Sequence, residues 1–206
     1  MMRRFLVCSL TVAAVATAAV TLSSLPAHAI SLGGSATQFK KARHSFIQEG
    51  SYAVAPMGHV MFCLNSPSEC RKPSLIRVTR IGLTDQRRAV LEGVNRAVNR
   101  EILPVNDRSG PGIVDQWSLA PTSGDCEDFA ITKRHRLIQA GWPASALRLA
   151  VGRVPNGEGH AVLVVKTRDG DLVLDNRSDA IRPWRATDIR WVSIQAAEDP
   201  RFWRSL

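Results

Sequence analysis

Residues 124–130 read Gly-Asp-Cys-Glu-Asp-Phe-Ala, which sets one cysteine among three carboxylates where a helix begins. A thiol there can serve as a nucleophile. The unpartnered amides of a helix N-terminus favour the thiolate and can hold the oxyanion formed when it attacks a carbonyl. Asp125, Glu127 and Asp128 oppose this, because neighbouring negative charge raises a thiol's pKa. A small buried core residue is the other ordinary fate of a free cysteine. Further on, His160 opens the run His-Ala-Val-Leu-Val-Val-Lys, directly after the flexible Pro-Asn-Gly-Glu-Gly segment. A strand end beside a loop is a rigid mount with access to a cleft. There His160 would take the thiol proton and return it to a leaving amine, with Asp175 fixing its tautomer. A structural strand-end histidine is the bland reading.

Whether Asp175 reaches His160 depends on a hairpin. A two-residue Asp169-Gly170 turn pairs Arg168 with Asp171 and puts His160 opposite Asp179. A five-residue loop, Lys166 to Gly170, puts His160 opposite Asn176, with Asp175 one position away. The triad needs the wider loop, and Asp179 is the competing acid.

The elements that must carry these residues are legible in outline. Val90, Leu91, Val94, Val98 and Ile102 recur at steps of three and four, which predicts a helix from Thr84 to Ile102, capped by Thr84 and ended by Pro104. A loop follows from Asn106 to Pro121. The helix that starts near Ser123–Asp125 places Cys126, Phe129, Ala130, Lys133, Leu137 and Ala140 at helical spacing, and Gly141 with Pro143 stops it. Strand-like runs come next, at Leu147–Val154, His160–Lys166, Leu172–Asp175 and Trp191–Ile194. Helices first and an antiparallel sheet afterwards predict an α+β domain. Residues 30–58, mixed in composition, are expected to be an arm lying over it.

Residues 1–29 have the make-up of a cleaved signal peptide. Arg3 and Arg4 precede the apolar stretch Phe5 to Val20, and Ala27-His28-Ala29 matches a small-x-small cleavage site. Residues 30–206 then form one domain, large enough for a core of its own. The leader holds two arginines and no acid, so its removal takes the formal charge from +9 to +7. The arginines are scattered and no recognition motif accompanies them, which argues against nucleic acid as a partner. Export implies an oxidising compartment. Cys63 and Cys70 flank the turn-forming Asn65-Ser66-Pro67-Ser68 and can close a disulfide, which leaves Cys126 as a free thiol. A zinc site is the rival, but no second cysteine pair or close histidine pair supports it.

Together, Asp115-x-Trp117, the Gly-Asp-Cys-Glu-Asp-Phe-Ala block, His-Ala-Val-Leu from His160 and Leu174-Asp175-Asn176 resemble the bacterial transglutaminase-like cysteine peptidases. The Pro-x-Gly-His…Phe-Cys stretch at residues 56–63 is similar to that group as well. The resemblance implies a papain-like, transglutaminase-type core with helices packed on an antiparallel sheet. It implies Cys126 as nucleophile, His160 as base and Asp175 as orienting acid. It also implies a periplasmic protease that clips a large surface adhesin under the control of an inner-membrane cyclic-di-GMP receptor, and a calcium requirement met by acids around the nucleophile. Asp125 and Asp128 are three apart on one helix face, and Cys126 is turned about 100° from Asp125. Asp125, Glu127 and Asp128 are therefore expected as ligands of a hard cation, with Asp115 a weaker one. Without an ion, the same acids would simply complement the helix dipole. The oxyanion hole needs a donor beyond the Cys126 amide, and Gln116 or Trp117 could supply it from the preceding loop, although Trp117 also suits a cleft wall.

Three functions remain in view: a cysteine endopeptidase acting on a protein with an exposed segment, a transglutaminase-type acyl transferase resolving the thioester with an amine, and a non-catalytic binding module of the same fold.

Overall fold

The computed structural model describes residues 45–72, 78–107 and 115–206. The expected leader and the first part of the expected arm lie outside the described residues. In chain order the elements are β1 (Tyr52–Ala53), α1 (Met57–Asn65), α2 (Asp85–Glu101), β2 (Leu103–Pro104), β3 (Ser123–Gly124), α3 (Cys126–Gln139), β4 (Leu147–Arg153), β5 (Gly159–Lys166), β6 (Asp171–Asp175), β7 (Ser178–Pro183), β8 (Arg190–Gln195) and β9 (Trp203–Ser205). Seven strands form one antiparallel sheet in the order β1-β9-β8-β4-β5-β6-β7. The α+β expectation holds, and α2 and α3 have the predicted extents. Thr84 caps α2 by accepting from the Arg87 amide at 3.3 Å, and Gly141, at φ +83°, ends the turn after α3.

The sheet is buried on both faces. Leu149, Leu163, Val165 and Leu174 point to the helix side, where they pack with Leu91, Ala130, Leu137 and Trp203. Their neighbours Ala150, Val162, Val164 and Val173 point the other way, against Ile47, Ile189 and Ile194. That two-residue alternation explains why β5 is apolar throughout: one set of its side chains meets helices and the other meets the arm and the returning chain. The part of the arm that is described is tied down by the Ile47 amide, which donates to Asp171 Oδ2 at 2.7 Å, and by β1 pairing with β9.

Two features differ from expectation. Residues 57–65, expected to begin within the arm, form α1. Its sequence Met-Gly-His-Val-Met-Phe-Cys-Leu-Asn is apolar all round, so it has no stripe to announce a helix. Its inner face is anchored by Phe62 and by His59, which is almost fully buried. The Cys63–Cys70 disulfide forms as expected, with Cα atoms 5.5 Å apart, and closes the chain just after α1. The β5–β6 hairpin also has its own register. Lys166 pairs with Asp171 and Leu163 with Leu174, so the loop is the four residues Thr167 to Gly170, between the two lengths considered above. Gly170 sits at φ +143°, a backbone region that side chains disfavour. Extending this register sets Asp175 opposite Val162 and diagonal to His160, within reach of both side chains.

Among the described residues, no helix is long and apolar enough to cross a membrane.

Candidate functional site

Cys126 is the first residue of α3, half-buried, and it lines a cleft of about 1160 Å³ with Asp107, Asp115, Trp117, Asp125, Glu127, His160, Asn176 and Arg177. The Ala161 amide donates to its sulfur at 3.3 Å, which seats the thiol at the start of β5 beside His160. The His160 Nε2–Asp175 Oδ1 distance is 2.9 Å, and both side chains are buried. A carboxylate can only accept, so Nε2 is the donor of this pair and Nδ1 is the ring nitrogen outside it. The competing acid Asp179 is engaged elsewhere, accepting from Asn99 Nδ2 at 2.9 Å.

Arg177 belongs to this group and went unread in the sequence. Its amide donates to Asp175 Oδ1 at 2.9 Å, its Nη2 lies 2.8 Å from Asp175 Oδ2, and the same Nη2 pairs with Asp188. Burial alone would raise the Asp175 pKa, but the bonds from His160 and Arg177 outweigh it and hold that carboxyl well below its ordinary range. The acid is thus fixed in the charged form that an imidazolium needs as partner.

Cys126 is in the opposite condition. Burial pushes its pKa up, and the charge of Glu127 pushes it further; the Ala161 amide offsets only part of this. The thiol also donates to Glu127 Oε2 at 3.2 Å. The tension between nucleophile and carboxylates read from the sequence is therefore real in three dimensions.

The carboxylates gather as a group, but not in the expected set. Asp107, Asp115, Asp125 and Glu127 each offer one oxygen, and these oxygens lie within 4.8 Å of one another. The short parallel pairing of β2 with β3, Leu103 with Ser123 and Pro104 with Gly124, brings both ends of the intervening loop to the start of α3. That closure delivers Asp107, which no local spacing marks, and it gives Asp115 a full place. Asp128 stands apart. Its Oδ1 accepts from the Ser118 amide at 2.6 Å, so it braces the loop from behind. Burial, opposed by that amide and aided by the charge of Asp125, pushes the Asp128 pKa up to about 7. Gly124 makes room for it: a Cβ there would fall 2.0 Å from Asp128 Oδ2. Gly124→Ala is expected to destabilise the protein by about 1–3 kcal/mol through this clash, read as a lowered midpoint in urea unfolding.

The four-carboxylate group fits a calcium ion. Asp125 Oδ1 and Glu127 Oε1 are buried and have no hydrogen-bond partner, and Asp125, although the helix N-cap, does not use its side chain to cap. All-oxygen ligands of this kind suit a hard cation. Burial, and then Asp125 and Asp115, hold the Glu127 pKa well above the ordinary carboxylate range, which is the condition a cation would reverse.

The two candidate oxyanion donors have other partners. The Trp117 indole N–H donates to Asp115 Oδ2 at 2.9 Å, and the Gln116 amide donates to Asp107 Oδ2 at 2.7 Å. Trp117 forms a cleft wall, packed edge-on against His59 and Trp203, and His59 is held by Gln195 and the Trp203 indole.

No curated protein matches the chain. Among solved structures it is similar to LapG of Legionella pneumophila, at 28% identity over 57% of this chain and 68% of that one, with a TM-score of 0.46. The calcium-bound form of that protein is 21% identical over 77% of this chain and 82% of that one, and an EGTA-treated form is 29% identical over 57% and 66%, each with a TM-score of 0.46. The model of the bacterial transglutaminase-like cysteine proteinases (BTLCP) matches residues 49–206, a span that takes in every element described above, and the chain belongs to that family of cysteine peptidases.

Proposed function

We propose that the chain is an exported endopeptidase that cleaves a protein substrate through Cys126, His160 and Asp175. The observation that carries this reading is the buried His160–Asp175 pair set beside the Ala161 amide that holds the Cys126 sulfur. His160 Nδ1 takes the thiol proton as sulfur attacks the scissile carbonyl, and the imidazolium formed is stabilised by Asp175. The Cys126 amide, at the first position of α3, faces the developing oxyanion. His160 then gives its proton to the leaving amine, and water resolves the thioester with His160 as base.

Asp107, Asp115, Asp125 and Glu127 would hold a calcium ion, which when bound supplies positive charge offsetting the acids beside the thiol. Residues 1–29 support export as their sequence reads. A large surface adhesin as substrate, and an inner-membrane cyclic-di-GMP receptor as regulator, extend the family resemblance to this chain.

The testing experiment incubates the protein with a quenched-fluorescence peptide library in one arm, and with a glutamine donor and a labelled amine in the other. Peptide cleavage that is lost on alkylation of Cys126 is the expected result. Amine incorporation without cleavage would replace the peptidase reading with acyl transfer.

A further inference from the structure

The side chain of Lys133 is the least expected feature near the site. It is fully buried on α3, and its ammonium Nζ has no hydrogen-bond partner. Lys133 is seven residues after Cys126, so it lies on the same stripe of the helix as the nucleophile. Helical side chains lean towards the N-terminus. Lys133 does so: its Nζ lies 6.0 Å from the centre of the Phe129 ring, one turn nearer the catalytic end.

The surroundings show what this buried cation faces. Asp175 and Asp179, at the two sides of the β6–β7 turn, are the acids that act on it, and Arg177 between them is turned to Asp175 and Asp188. His160 on β5 belongs to the same group through Asp175. From α2, Asn95 donates to the carbonyls of Ser178 and Asp179, and Asn99 donates to the carbonyl of Asp175. The Oδ1 atoms of both asparagines are buried without a donor. One turn is therefore gripped by two asparagine amides on one side and the field of a buried ammonium on another. Burial draws the Lys133 pKa down to about 7, against the upward pull of Asp175 and Asp179. An ammonium with no counter-charge in such a place would be far costlier than any packing gain from its stem.

We propose that Lys133 is a positioning residue for the peptidase reaction, a second cation behind Asp175 that holds the β6–β7 turn, and through it the His160 ring, in the reacting arrangement. This rests on the triad reading above. Lys133 touches neither thiol nor substrate and acts only through Asp175.

The test compares Lys133→Met with His160→Ala and wild type on the peptide that the wild type cleaves fastest. Methionine keeps the length and apolar character of the stem and removes the charge. Nζ makes no hydrogen bond for the substitution to break, and Asp175 keeps its bonds to His160 and Arg177, so the melting temperature of Lys133→Met should not fall. Its kcat should drop about tenfold with KM unchanged, the size seen when a group supporting a reacting residue from behind is removed. A wild-type kcat in Lys133→Met overturns the inference and leaves the triad intact, provided His160→Ala is inactive. A His160→Ala protein that keeps its activity overturns both. A kcat loss that merely follows a lowered melting temperature overturns the inference as well. Should Lys133→Met not fold, the ammonium is followed in wild-type protein by nitrogen-detected NMR of labelled lysine: a charged Lys133 at the pH of full activity supports the inference, and a neutral one overturns it.

Discussion

Cys126→Ala is expected to lower peptide hydrolysis by roughly 10⁶-fold, with a circular dichroism spectrum that matches wild type. The alanine removes the only atom that can form the acyl-enzyme and leaves the helix start intact, since alanine is a good first-turn residue. His160→Ala should cost about as much, because a nucleophile without its base is scarcely better than none. The double variant should be no worse than either single one, as is typical of residues that act as a unit. Steady-state hydrolysis by the three proteins checks this, and more than a few per cent residual activity in Cys126→Ala would remove Cys126 from the mechanism. Iodoacetamide provides an independent reading in the same samples. In wild type the thiol is half-buried and donates to Glu127 Oε2, which slows its reaction, and His160 is the base proposed to draw that proton away. Alkylation should slow further in His160→Ala.

Removal of calcium is expected to have the next largest effect. A strong chelator should lower activity by roughly 10²–10³-fold, the range associated with losing one preorganised charge beside a reacting centre. Calcium should restore it. Magnesium should not, because it demands compact octahedral geometry and gives up its waters reluctantly. A pH dependence follows, with a definite sign. Asp128 rises to about 7 and Glu127 is also raised, whereas both would titrate near 4 in the unfolded chain. The folded, ion-free protein thus holds protons that the unfolded chain releases. The stability these groups contribute is fully present below about pH 4 and is lost as pH rises towards the folded values. Calcium binding to Glu127 needs the ionised form, so protons compete with it. The rise in melting temperature on adding calcium should therefore be larger at pH 8 than at pH 5. An equal rise at both pH values, or activity that survives chelation, would count against these four carboxylates as the ion's ligands. Asp125→Asn should show the same loss of calcium response without lowering the ion-free melting temperature.

How far the sequence could be read depended on how local the cause of each element was. α2 and α3 carry their own stripes and stops, and α2 its own cap, so α2 began where Thr84 put it and α3 stopped where Gly141 put its end. The inner strands β4, β5, β6 and β8 are runs of apolar residues between turns and were equally plain. β7 was missed because Ser-Asp-Ala-Ile-Arg-Pro at the sheet edge has no apolar alternation; it is a strand only because β6 supplies a partner. α1 was missed for the reverse reason, an apolar segment with no polar face. At the site, Cys126 and His160 announce themselves by residue type and position. Asp107 does not, because it arrives by loop closure over eighteen residues, through the β2–β3 pairing. Arg177 is only two residues beyond Asp175, yet its role depends on the β6–β7 turn folding its side chain back. A hairpin register one residue from the wider count and two from the tighter one was likewise set by tertiary packing, with Asp171 drawn inward by Lys166 and Ile47.

The loop that brings Asp115 and Trp117 to the acids also forms one wall of the cleft in which a substrate strand would lie. Two ligands that share a wall can be coupled through it. If calcium tightens substrate binding by some factor, substrate must tighten calcium binding by the same factor, whatever route the coupling takes through the loop. A peptidase built this way would sense substrate and ion as one quantity: at limiting calcium, the arrival of a cleavable segment would itself recruit the ion. The half-saturating calcium concentration of the enzyme is then not a constant of the protein alone but a property of what it is about to cut.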